Sequence, residues 1–180
     1  MRTNWNRVHY DLQYIILNKV VCHIPSWTAR RYVYRKCGIR LESGSRIGIG
    51  TVVINPKGIW VGKRSVINES CLLDGRGGLV IGCDTSISAY TRILSASHKV
   101  NSGNFQYYER KTRIGSHVWI GTGATILDGS AVKDFAVIGA GAVFKGDAEE
   151  GDIYMGNPAK YIKKRMVRND YHLSLKTYFR

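Results

Sequence analysis

From Ile114 onward the chain divides into blocks of six: IGSHVW, IGTGAT, ILDGSA, VKDFAV, IGAGAV, FKGDAE. Each block opens on an aliphatic or aromatic residue, the next place is usually Gly or another small or polar residue, and the fifth holds Val, Ala, Ser, Ala, Ala, Ala. A helix with 3.6 residues per turn does not bring positions 1, 7 and 13 to one face, so this period excludes an α-helical stripe. It fits a coil with three short flat sides, one hexad per side, whose large residue points to the axis while small ones sit near the corners. Each inward Ile, Leu or Val contributes about 1.5–3 kcal/mol when removed from water, and stacked coils share that buried column.

The same register runs upstream once short slips are allowed. Leu41, Ile47 and Val53 form one triplet, Val61, Ile67 and Leu73 a second, Ile81, Ile87 and Ile93 a third; Ile114/Ile120/Ile126 and Val132/Ile138/Phe144 follow. Two extra residues interrupt at PKGIW and two at GRGGLV, and fifteen more, 99–113, follow the third triplet. Every interruption falls after a third hexad, so all of them project from one corner of a three-sided prism. The fold class expected is all-β, a parallel β-helix of about five coils over 41–152 with a loop excursion at 99–113. Residues 1–40 read as a helical basic cap, and 153–180 as a C-terminal stretch ending in a helix.

The 180 residues suffice for one domain with a sizeable core, and 44% hydrophobic against 22% charged residues are globular values. Four cysteines, Cys22, Cys37, Cys71 and Cys83, lack a CxxC pair and metal-ligand spacing, so reduced and mostly buried thiols are expected and no metal. No apolar run reaches the length of a membrane span, and MRTNWNRVHYDLQ lacks the hydrophobic stretch of a secretion signal. A cytoplasmic location is therefore expected.

The net charge of +14 is concentrated at the termini. Residues 1–40 carry eight Lys/Arg against one Asp, and 160–180 carry seven against one. A nucleic-acid surface would put basic and aromatic residues on the main fold, so nucleic acid is not expected as a partner. WNRVHYDLQYIILNKVVC, residues 5–22, has a helical rhythm; Pro25-Ser26 reads as a stop and a new N-cap, and SWTARRYVYRKCG as a short basic helix ending before Gly38. This segment covers the open end of the first coil; in a second reading Arg30, Arg31, Arg35 and Lys36 also face an anionic membrane, at whose inner face a lipid-linked glycan could sit.

LLDGRGGLVIG, ILSASHKVNSGNFQY, RIGSHVWIGTGATIL and YMGNPAKYIKKR together resemble the hexapeptide-repeat acyltransferases over roughly 41–165, and most closely the branch that acetylates sugars and surface-polysaccharide units. The resemblance implies a left-handed helix, a homotrimer with sites between subunits, acetyl-CoA as co-substrate and a carbohydrate acceptor. It makes His98, the last residue of the third hexad, the general base. Imidazole titrates near neutrality and can take the proton of a sugar hydroxyl as it attacks a thioester. It assigns the oxyanion donor to the amide of Thr122, also at the cofactor, and the acyl and pantetheine channel to Trp119, whose alternative is a ring covering a coil flank. Cofactor contacts fall on Ala140, Lys145, Lys160 and Lys163, each lysine being alternatively a solvated charge.

Acceptor contacts fall on Ser70, Asp74 and Tyr107, with Asp74 alternatively a turn-former. Two departures from the family pattern bear on the acceptor. Ser70 stands where an Asn is common, and Lys99 where an acidic residue often follows the histidine. Phe105, Tyr107 and Tyr108 in the excursion suggest a partner surface. Other readings are N-acetylation of an amino sugar or small amine on the same scaffold, a non-catalytic binding β-helix, and a zinc site between subunits, for which the repeat holds only His98 and His117.

Overall fold

The structure, a computed structural model, describes residues 3–166 and 171–174, with side chains from Val8 on. Its body is a parallel β-solenoid with three faces. The first face stacks Arg40–Leu41, Ile59–Val61, Leu79–Ile81, Thr112–Ile114, Ala131–Val132 and Asp147–Ala148. The second stacks Arg46–Ile47, Val66–Ile67, Ser86–Ile87, Trp119–Ile120, Val137–Ile138 and Asp152–Met155, and the third Val52–Ile54, Leu72–Asp74, Arg92–Ile93, Thr125–Ile126 and Val143–Phe144.

All five hexad triplets fall in register. On the first face Leu41 pairs with Val61, Val61 with Ile81, Ile81 with Ile114 and Ile114 with Val132. Ile47, Ile67, Ile87, Ile120 and Ile138 do the same on the second face, and Val53, Leu73, Ile93, Ile126 and Phe144 on the third. All are buried and form one continuous core. The expected count of about five coils is corrected to about six turns. Ala148 stacks on Val132 and Tyr154 on Ile138, so a sixth turn begins on two faces after the clean hexads end.

The corners explain the rest of the repeat. In the hexads of the first and second faces the fourth place holds a positive φ even where it is not glycine, as at Arg64, Ser70, Asp84, Tyr90, His117 and Phe135. That left-handed residue turns the chain through the corner, and the residue after it points inward where only a small side chain fits. Ser65, Thr85 and Thr91 occupy such fifth places fully buried, and each hydroxyl donates to a carbonyl one coil on, of Gly82 (2.6 Å), Gly115 (2.7 Å) and Gly121 (3.2 Å). Buried polar groups are tolerated because they are paired.

The interruptions share the corner between the third and first faces, as their phase requires. At 99–113 the excursion is narrower than fifteen free residues. Ala96–His98 pairs antiparallel with Tyr107–Glu109 in a hairpin, and Thr112–Ile114 is already the next first-face strand.

The base is closed by α1 (Thr3–Ile15), a π turn Ile16–Val20, a 3₁₀ turn Val21–His23, and α2 (Trp27–Lys36). Ser26 is the N-cap of α2, its hydroxyl accepting from the Ala29 amide, and Gly38 follows the helix with φ +107. Side chains and carbonyls of this cap satisfy the otherwise unpaired edge of the first coil. Asn18 bonds both backbone groups of Val53, Cys22 O accepts from Gly50 N at 2.8 Å, and Arg30 donates to Ile47 O at 3.2 Å. Arg30 therefore cannot face a membrane; it is fully buried and also donates to the carbonyls of Ile24 and Pro25.

At the far end Lys160–Lys164 returns antiparallel along Asp152–Met155, where the sequence suggested no strand. Of the expected helical tail YHLSLKTYFR, residues 171–174 are not helical and 175–180 lie outside the described residues. Tyr171 and Leu173 lie against the corner between the first and second faces. The Tyr171 hydroxyl donates to His117 O (3.0 Å) and the Leu173 amide to Asp84 Oδ1 (3.0 Å).

Of the cysteines, Cys22 and Cys71 are buried while Cys37 and Cys83 are half-buried, and all four are free. Burial pushes the Cys71 thiol up to about 11.

Candidate active site

His98 closes one arm of the hairpin, opposite Tyr107 in the pairing register. Its Nδ1 lies 2.9 Å from the carbonyl oxygen of Phe105. A carbonyl can only accept, so Nδ1 carries the proton and the neutral ring's lone pair is on Nε2. Among the described residues Nε2 has no hydrogen-bond partner. The Phe105 ring stacks on the imidazole with centroids 3.9 Å apart and 13° between planes, while Tyr107 meets it edge-on at 5.5 Å. One residue thus fixes both the tautomer and the plane of His98.

The hairpin tip is built to allow this. Phe105 is left-handed at φ +50, its amide donates to Ser102 O (3.1 Å), and the Ser102 hydroxyl accepts from the Gln106 amide (2.7 Å). Neither the carbonyl nor the stack of Phe105 was foreseeable from residue types alone. The signal present was an aromatic in a loop whose length fitted no repeat.

Below the hairpin, Asp74 is fully buried, and its oxygens accept from Arg76 Nε and Nη2 (both 2.9 Å), Arg76 N (3.0 Å) and Ser95 N (3.1 Å). Burial raises its pKa, but the Arg76 side chain and these amides outweigh burial and hold the carboxyl below its ordinary value. Its oxygens thus hold the bulge together. The Arg76 guanidinium lies 5.8 Å from the Tyr107 ring centre, linking the bulge to the residue that abuts His98. Tyr107 donates to Glu109 Oε1 (2.7 Å), and desolvation together with that bond pushes its phenol up to about 12.

The other candidates divide between two edges of the prism. Lys145, past the third-face strand, shares the edge of His98, Asp74 and Tyr107, and its ammonium lies 3.6 Å from the buried Asp128. Ser70, Thr122 and Ala140 line the corner between the second and third faces. There Gly141 N donates to Thr122 O (2.9 Å), and the amides of Thr122 and Ala140 have no acceptor among the described residues. A Cβ added at Gly123 or Gly141 would meet nothing within 4 Å, so this corner is an open track. Trp119 stands beside it on the second face, half exposed, its indole Nε1 donating to Ser88 Oγ at 3.2 Å. Lys160 and Lys163 are exposed on the antiparallel strand at the top of that face. A whole third-face strand lies between His98 and the Thr122 corner, so one chain does not bring base and amide donor together.

The family pattern described as bacterial transferase hexapeptide (six repeats) matches residues 111–146. Nodulation protein L of Rhizobium leguminosarum bv. viciae is 36% identical over 132 residues, covering 68% of this chain and 70% of that protein. The chain belongs to the hexapeptide-repeat transferase family. A second relative, "Putative lipopolysaccharide biosynthesis O-acetyl transferase WbbJ" of Escherichia coli (strain K12), is 41% identical over 114 residues, 54% of this chain and 56% of that one. The hexapeptide-repeat fold recurs in the acetyltransferase of Vibrio cholerae O1 biovar eltor solved with acetyl coenzyme A. It has a TM-score of 0.80 at 20% identity, over 90% of each chain. Against three further curated relatives the chain spans only 38%, 53% and 56% of their length.

Proposed function

We propose that this protein moves an acetyl group from acetyl-CoA to a hydroxyl of a sugar or surface-polysaccharide unit, with His98 as general base and no acyl-enzyme. The observation that carries this reading is the Nδ1 contact with the Phe105 carbonyl, which in the neutral ring puts the lone pair on Nε2, free of any partner among the described residues. Nε2 takes the acceptor's proton as its oxygen bonds to the thioester carbon. The oxyanion accepts from the Thr122 amide, and its collapse expels the coenzyme A sulfur, which takes the proton back from the imidazolium. Because the third face separates His98 from Thr122 within one chain, the two come from adjacent copies of a homotrimer. The open glycine-flanked corner suits the long neutral arm of the co-substrate, and Lys160 and Lys163 suit its phosphates. A sugar acceptor is supported by the O-acetyl transferase relative.

The test is thiol release from acetyl-CoA by the purified full chain across a panel of glycans, with amines as a second arm. A glycan-dependent rate that falls by about 10²–10⁴ in His98→Ala is expected. An unchanged rate in that variant would overturn the base assignment, and activity confined to amines would overturn the acceptor class. A monomeric mass by light scattering would remove the shared site.

A further inference from the structure

We propose that the base of the solenoid is a docking surface for an anionic lipid bilayer. The first observation concerns α1. Its inner side, including Gln13 and then Leu17 in the following turn, leans on Val53, Asn55 and Pro56 of the first coil. The opposite side carries Val8, Leu12, Ile15, Ile16 and, past the helix, Val20, each 43–58% exposed. These recur at helical spacing and make a second apolar stripe that, among the described residues, nothing covers. A helix that only closed the solenoid would keep this side polar.

The second observation is charge. Beside α1, α2 directs Arg35 and Lys36 outward with the exposed ring of Tyr32, and Lys36 Nζ lies 5.7 Å from that ring's centre. Arg31, Arg35 and Arg40 line a groove between α2 and the edge strand of the first face, and Lys19 stands within the apolar stripe itself. Across residues 1–42 the acidic residues are Asp11 and Glu42, the latter lining that groove, against eight Lys/Arg. Large aliphatic side chains flanked by an excess of cations are complementary to a bilayer interface, where acyl chains take the former and headgroup phosphates the latter.

Nucleic acid offers no counterpart for the stripe, and a second copy would bring the same positive base toward itself. Among the described residues no helix is long and apolar enough to cross a membrane, so the contact is peripheral. It carries the prism axis toward the surface end-on. The proposal does not depend on the acetyl-transfer reading.

The experiment is co-sedimentation of the full chain with vesicles of phosphatidylcholine alone or with about 30% phosphatidylglycerol. Binding to the anionic vesicles only, weakened by salt, is expected. Leu12→Gln with Ile15→Gln, which leaves charge unchanged, and Arg35→Glu with Lys36→Glu should each lower the partition coefficient at least about tenfold. Lys111→Glu with Arg113→Glu, equal in charge to the second pair but on the fourth coil, should leave it within about twofold. Circular dichroism and melting verify that each variant is folded. The proposal is overturned if the distant pair costs as much as the basal pair, if no variant alters binding, or if the glutamine pair changes oligomeric mass while vesicle binding persists.

Discussion

The side-chain amide of Asn18 stands in for a missing strand: it donates to Val53 O at 2.9 Å and accepts from Val53 N at 2.8 Å. Both bonds are buried, so no water replaces them when the side chain is changed. Asn18→Leu is expected to lower unfolding free energy by about 2–5 kcal/mol, since it orphans two backbone groups at once. Urea titration reads this directly. The variant should also self-associate more at equal concentration, because an edge strand of the first coil is bared.

Phe105→Ala removes the ring stacked on His98 and keeps the carbonyl that holds Nδ1. A kcat reduction of about tenfold with KM changed less than about twofold is expected, the pattern of a positioning residue. Equal loss in KM and kcat would instead mark the ring as an acceptor contact.

Asp84 is buried, takes both Nε and Nη2 of Arg64 (2.8 and 2.5 Å) and receives the Leu173 amide. The Arg64 contact foremost, against an opposing burial effect, lowers its carboxyl to about 2. A folded-state pKa below the unfolded value means stability present above about 4 that is lost as pH falls toward 2. The protection factor of the Leu173 amide, the free peptide's exchange rate over its own at the same pH, should therefore fall across that window. In Asp84→Ala, which removes the acceptor, the amide should lose that protection already at neutral pH.

Gly58 and Gly75 touch where the first two bulges stack: a Cβ at Gly58 would lie 1.9 Å from Gly75 O. Gly58→Ala is expected to cost about 1–3 kcal/mol, since backbone rather than a side chain must move. Gly103→Ala, at the hairpin tip with nothing within 4 Å, should stay within about 0.5 kcal/mol. Melting of the two variants separates crowding from a general aversion to alanine.

The column from Leu41 to Phe144 was legible because a period of six leaves one solution for burying its large residues. The common corner of the interruptions followed from counting alone. The sixth turn was not legible: Ala148 and Tyr154 break the aliphatic pattern, and they find their places by stacking on Val132 and Ile138. Nor was the inward turn of Arg30, because a basic residue in a basic helix gives no local sign that carbonyls of Ile24, Pro25 and Ile47 await it. His98 could be singled out by its place at the end of a hexad. What the sequence withheld was its support, since Phe105 is brought back only by the hairpin's register.

A stack of parallel coils has no inherent last member, and any bare terminus of it is a template for growth. Here the reversed run Lys160–Lys164 occupies the upper rim of the second face, and Gly156 O and Ala159 N bond Val143 on the third. Three lysines, Lys160, Lys163 and Lys164, stud that reversal. A newcomer would meet the wrong chain direction and a row of cations, so the molecule stays of finite length instead of seeding filaments.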